Sequence, residues 1–176
     1  MLVELIATVA AGLGVAGIVV LLGRLSGGRL PRWTVPIGAG VAMLAVTIAN
    51  EYAWFTRTRA ALPEGVIVAT TREATAVYRP WTYIVPYVDR FAAVDRASIR
   101  THPDQPGRRI VNLVFYGRWS QPRQVPVAVD CQRDRRAVLN ETARFGADGA
   151  IGNVRWRRVP PDDPIQKAAC HESGAA

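Results

Sequence analysis

Two apolar runs near the start of the chain decide what it can fold into. No charged or strongly polar residue occurs between Leu5 and Gly23, and none between Trp33 and Ala49. Each run approaches the roughly 20 residues that carry a helix across a hydrocarbon layer about 30 Å thick. A helical hairpin buried inside a soluble core is the competing reading, and it fits poorly with two runs so free of polar groups. A cleaved signal peptide would need a basic leading region, which the first run lacks, although Thr47 and Ala49 could mimic a cleavage site in the second. The chain is therefore expected to hold a transmembrane hairpin over residues 1–55, with helices at about 4–23 and 33–55 and a loop at 24–32. A linker at 56–64 and an extramembrane domain at 65–176 follow.

Orientation follows from charge. The loop carries Arg24, Arg29 and Arg32, whereas only Glu4 precedes the first run. The positive-inside rule places that loop in the cytoplasm and both the amino terminus and the domain outside, in the periplasm of a Gram-negative inner membrane. Arg57 and Arg59 point the other way, but long domains translocate largely regardless of charge. Trp33 marks the inner interface, and Tyr52, Trp54 and Phe55 the outer one. Glu51 is read as an interfacial carboxylate facing Arg57 or water.

Small residues recur along both helices. Ala10 and Gly14, and again Gly12 and Ala16, lie four apart on one helix face, and Gly38 and Ala42 repeat the spacing in the second run. Such faces let backbones approach closely in lipid. The nine-residue loop makes the two helices neighbours, and additional small faces leave room for a helix of another membrane subunit. No His or ion-relay pattern lies in either run.

The rest of the chain is polar and strongly basic. Removing the three loop arginines, Glu4 and Glu51 from totals of 22 basic and 14 acidic residues leaves 19 and 12, a net +7. All of these cations except Lys167 are arginines, a bias that a GC-rich genome also produces. A charge of this sign suits anionic lipid headgroups or an acidic protein surface. Nucleic acid would require the opposite membrane orientation and is not expected.

Short β-prone runs fill the domain: Val66–Thr71, Phe91–Asp95, Ser98–Thr101, Ile110–Tyr116, Val125–Cys131 and Asn153–Val159. Pro126 is expected at an edge or a strand start, because it cannot donate to a ladder. Turns fall at 102–107 and 147–149. After Asp162 or Asp163 as N-cap, Pro164–His171 reads as a short helix. The expected fold is thus α+β, an antiparallel sheet with a short C-terminal helix. Cys131 and Cys170 are the only cysteines, both in the part assigned outside. They read most simply as one disulfide, the alternative being two separate buried thiols.

The order Asp130-Cys131, the basic patch Arg133, Arg135 and Arg136, Ala147-Asp148-Gly149, Trp156, Val159-Pro160-Pro161 and a helix ending in Cys170 resembles the surface-adhesin protein E family of Gram-negative bacteria. The likeness spans Val111–Cys170. It implies a small antiparallel sheet and a bond between Cys131 and Cys170. Members of that family look secreted or lipid-anchored, whereas this chain carries two membrane helices and an unmatched segment, Val66–Asp104, so the adhesin role does not transfer with the fold.

Catalytic chemistry is not legible. There is no phosphate loop, no Gly-x-Ser-x-Gly elbow and no haem-attachment motif. Cys131, Cys170 and His171 would form three zinc ligands only if the disulfide were absent. No cofactor or metal is expected, and the acids Asp89, Asp95 and Asp104 read as surface partners of arginines. The candidate partner surface combines the aromatics Tyr78, Trp81, Tyr83 and Tyr87 with Arg133, Arg135, Arg136, Arg155, Arg157 and Arg158, since Tyr, Trp and Arg anchor interfaces. The expected function is a non-catalytic accessory or assembly subunit of a larger inner-membrane complex, of respiratory or photosynthetic type for example. The alternative is a free-standing periplasmic binding module for a ligand, peptide or envelope polymer.

Overall fold

A computed structural model describes residues 2–170. The chain divides into two compact units, residues 1–57 and 58–176. The first holds helix α1 (Leu2–Leu25) and most of helix α2 (Thr34–Ala60). Both are long and apolar enough to cross a membrane. Leu5, Leu13, Ile18, Leu21, Val41 and Leu44 all point outward, as suits helices long and apolar enough to cross a membrane. Helix α1 stops where Gly27 and Gly28 take positive φ values of 65° and 80°. The Gly28 N–H donates to the Gly23 carbonyl and the Gly27 N–H to that of Arg24, a Schellman closure open to residues without a Cβ penalty. Pro36 sits in the first turn of α2, where its missing N–H costs little.

The small residues divide between two faces. Gly12 is buried, and a Cβ there would collide with the Met43 side chain, while a Cβ at Gly38 would lie 3.1 Å from Val19. Ala16 and Ala42 are half-buried along the same seam. Ala10 and Gly14 lie off this seam: both are exposed, and Gly14 has nothing within 4 Å of a built Cβ. Their spacing repeats that of Gly12 and Ala16, but the helix turns them away from α2. Glu51 is buried, so it does not face water. Arg57 reaches the Asn50 carbonyl at 3.2 Å and the Glu4 carboxylate at 3.9 Å.

Six strands form the main sheet, in the order β1-β2-β3-β4-β5-β8 with every pairing antiparallel. They are β1 (Val66–Ala74), β2 (Tyr87–His102), β3 (Gln105–Gly117), β4 (Ser120–Asp130), β5 (Arg135–Val138) and β8 (Arg157–Arg158). Between the last two, β6 (Arg144–Phe145) and β7 (Ile151–Gly152) make a small ribbon. The two runs expected at 91–95 and 98–101 are one strand interrupted by a bulge, since register jumps from Asp95↔Asn112 to Arg100↔Ile110. Asp95 and Ser98 fill the gap: the Ala97 N–H donates to the Asp95 carboxylate and the Asn112 N–H to the Ser98 hydroxyl. The turn near 102–107 is the two-residue step Pro103-Asp104, and Pro106 and Gly107 belong to β3. The run expected at 153–159 shrinks to β8.

Pro126 lies mid-strand in β4, opposite Asn112. Its carbonyl accepts the Leu139 N–H, one step beyond the β4–β5 ladder. Because a residue's N–H and C=O point to the same edge, the missing donor faces this side, and no β3–β4 bond is lost.

Helix α3 (Pro164–Cys170) covers one sheet face. Ile165 and Ala169 pack with Ala92, Val94, Val111, Leu113, Val127 and Val129, a core of small and branched side chains. Asp163 is the N-cap, accepting the Gln166 N–H at 2.9 Å, and Pro164 follows it. The neighbouring Asp162 binds Lys167 at 2.8 Å, and that hydrogen bond and charge hold its carboxyl below the ordinary 3.8. With the folded value depressed, this contact is complete at neutral pH and is lost only as pH falls through that lowered value. Cys131 and Cys170 form a disulfide across 39 residues. Closing a loop of that size contributes about 3–4 kcal/mol in the chain-entropy model.

The divided small faces generate a test. Oxidative cross-linking of a Val19→Cys/Gly38→Cys pair in bilayers reads α1–α2 contact. Adding Gly14→Ile leaves the yield unchanged, whereas adding Gly12→Ile lowers it several-fold.

Candidate functional site

The β4–β5 corner organises the arginines. The sequence Asp130-Cys131 ends β4, and the chain turns through residues 132–134 into Arg135 and Arg136, with Asp134 at a φ of 44°. Asp130 is 3% exposed, and one of its oxygens accepts the Gln132 and Arg133 N–H groups. The other oxygen lies 2.9 Å from Arg135 Nε and 3.7 Å from Arg108 Nε. These two guanidiniums sit over the Trp156 ring at 4.8 and 5.8 Å from its centroid. One buried carboxylate thereby fixes two cations, and the cations hold the tryptophan. Strand β8 is fastened to β5 in the same stroke, and the Val159 N–H closes on the Asp134 carbonyl.

Alternation along β5 and β8 sends the other side chains to the opposite face. Arg136 pairs with Asp163 at 3.0 Å. Arg135 and Arg136 are therefore internal ties rather than parts of a partner surface, which corrects the sequence expectation. Arg133, Arg155, Arg157 and Arg158 are exposed. Among the described residues no carboxylate binds their side chains.

A cleft of about 890 Å³ opens beside them. Arg136, Arg155, Arg157 and Arg158 line it, together with the polar residues Asn140, Thr142 and Asn153, and no acidic residue does. Asn153 takes a left-handed φ of 58° and donates from its side-chain amide to the Thr142 carbonyl at 2.9 Å. The Thr142 hydroxyl bonds the Asn140 side-chain oxygen, so the Asn140 nitrogen is left as a donor.

A second exposed region lies at the end of the sheet where β1 leads into β2 and β3 turns into β4. The 75–86 connection includes a 3-10 turn, Pro80–Tyr83, anchored by the buried Thr82 hydroxyl, which accepts the Ala76 N–H and donates to the Arg79 carbonyl. Tyr78 and Tyr83 are exposed as expected. Tyr87 is buried, which is a correction, since it packs rather than presents, and Trp81 is half-buried. Val77, Ile84, Val85 and Trp119 are exposed at the same end and were not singled out from sequence. Arg79 lies over Tyr78 and Arg118 over Trp119. The Arg118 N–H bonds the Asp89 carbonyl, fixing the β3–β4 turn beside β2. Next to this end, a groove of about 1000 Å³ has Phe115 on its wall and Arg72, Arg90 and Arg123 around it.

The disulfide removes Cys131 and Cys170 as zinc ligands, and His171 lies outside the described residues. Among those residues no group of three His, Cys, Asp or Glu side chains is placed to hold a metal. No protein-family model matches the chain, and neither a curated protein nor a solved structure matches it.

The Asp130 centre generates a contrast in stability. Asp130→Asn leaves two largely buried guanidiniums without their anion and lowers stability by about 3 kcal/mol. Asp89→Asn, whose partner Arg90 is mostly exposed, costs under about 1 kcal/mol. Urea denaturation of the detergent-solubilised chain measures both.

Proposed function

We propose that this chain is a non-catalytic accessory or assembly subunit of a larger bacterial inner-membrane complex. Helices α1 and α2 anchor it as a two-pass hairpin, with the 24–32 loop in the cytoplasm and the sheet domain in the periplasm. The domain docks an acidic partner subunit. The observation that carries this reading is the end of the sheet bearing Tyr78, Tyr83, Ile84, Val85 and Trp119, all exposed and accompanied by Arg79 and Arg118. Exposed aromatics beside arginines are the composition of interface anchors, and leaving so many apolar side chains in water is unfavourable for a free-standing domain. Arg72, Arg90 and Arg123 around the neighbouring groove give the surface a positive sign that an acidic partner complements.

The likeness of Val111–Cys170 to the surface-adhesin protein E family enters this proposal as a likeness of architecture. Its adhesin role requires display at the cell surface, which an inner-membrane anchor prevents.

Gentle extraction from native membranes, followed by a native gel and mass spectrometry of the band, tests the reading. The parent chain migrates with a fixed set of partners, and Tyr83→Asp/Trp119→Asp migrates without them while keeping its circular dichroism. Migration of the parent alone, at the mass of one or two copies plus micelle, would overturn it in favour of a free-standing binding module.

A further inference from the structure

The arginine cleft stands apart from the aromatic end of the sheet and calls for an occupant of its own. We propose that it is a binding site for a phosphate-dense anion, such as a pyrophosphate or phosphomonoester group. Arg155, Arg157 and Arg158 fall within four residues, a backbone span of about 10 Å in extended chain. All three are exposed, all line the cleft, and none is neutralised by a carboxylate among the described residues. Burying a ligand beside unneutralised cations requires an anion; among the lining arginines only Arg136 is held by a carboxylate, that of Asp163, and no acidic residue lines the cleft to compete for the other three. Guanidinium forks match phosphate oxygens with two parallel hydrogen bonds. The Asn140 amide nitrogen adds a neutral donor to the lining.

Two features make this a built concavity rather than a charged surface. Trp156 is held by the Arg135 and Arg108 guanidiniums, 4.8 and 5.8 Å from its ring centroid, which fixes the backbone that carries Arg155 and Arg157. Two of the lining residues are tied to each other by the Asn153–Thr142 hydrogen bond, with Asn153 held in a backbone region that few side chains adopt. The volume of about 890 Å³ lies within the range of small-molecule sites. Charge density favours phosphate over an acidic peptide, because a peptide offers one carboxylate per residue while a phosphate chain concentrates its charge within a few ångströms.

The anion has two sources with the same chemistry, a soluble phosphate compound and a lipid headgroup. The full chain in phosphatidylcholine nanodiscs, titrated calorimetrically with tripolyphosphate, tests binding. A parallel sedimentation assay with phosphatidic acid vesicles tests the lipid source. Binding in either assay that falls at least tenfold in Arg155→Gln/Arg157→Gln, and that Arg133→Gln outside the cleft leaves unchanged, supports the site and names the source. Arg157→Lys keeps the charge but loses the fork, and it weakens binding while preserving the fold. Failure of both probes to bind, equal loss in Arg133→Gln, or equally tight binding of hexaglutamate would overturn the proposal. None of these outcomes depends on whether the aromatic end docks a partner.

Discussion

The Asp130-Cys131 corner is the constraint on which the extramembrane domain depends. Within two adjacent residues the chain places a buried carboxylate and half of a disulfide. The carboxylate aligns Arg108 and Arg135 over Trp156 and so brings β8 to the sheet. The disulfide brings α3 down on the other face, where the Gln166 amide donates to the Asp130 carbonyl and Arg109 donates to the Ala169 carbonyl. Neither β8, with its two residues, nor α3, with its seven, is long enough to hold its place unaided. Removing this corner would open both faces at once, and the arginine cleft would lose one of its walls.

The architecture was legible where the physics is local. Uninterrupted apolar runs locate α1 and α2, alternating Val125, Val127 and Val129 locate β4, and Asp163 before Pro164 marks the start of α3. The disulfide followed from an even cysteine pair assigned to an oxidising side. Long-range pairing was harder to see. A bulge filled by Asp95 and Ser98 made one strand read as two, and the edge that tolerates Pro126 exists only because β5 ends at Val138.

The candidate surfaces show the same division. Composition pointed to the right segments, but burial decides which side chains they present. Tyr87 is buried at the start of β2, while Trp119 is exposed in a two-residue hairpin turn. In the basic cluster, Arg135 and Arg136 are drawn to Asp130 and Asp163, partners 5 and 27 residues away. Their neighbours Arg155, Arg157 and Arg158 stay exposed along the cleft, with no carboxylate among the described residues bound to them. The domain thus carries two unlike surfaces, one aromatic and one cationic and concave.

The central claim joins the disulfide to the side of the membrane on which the domain lies. Thiol labelling in intact cells tests both together, using a membrane-impermeant maleimide before and after an impermeant phosphine reductant. The account predicts no labelling of Cys131 and Cys170 before reduction and labelling of both after it, with the cells still sealed. Labelling that appears only after lysis, without any need for reductant, would contradict it.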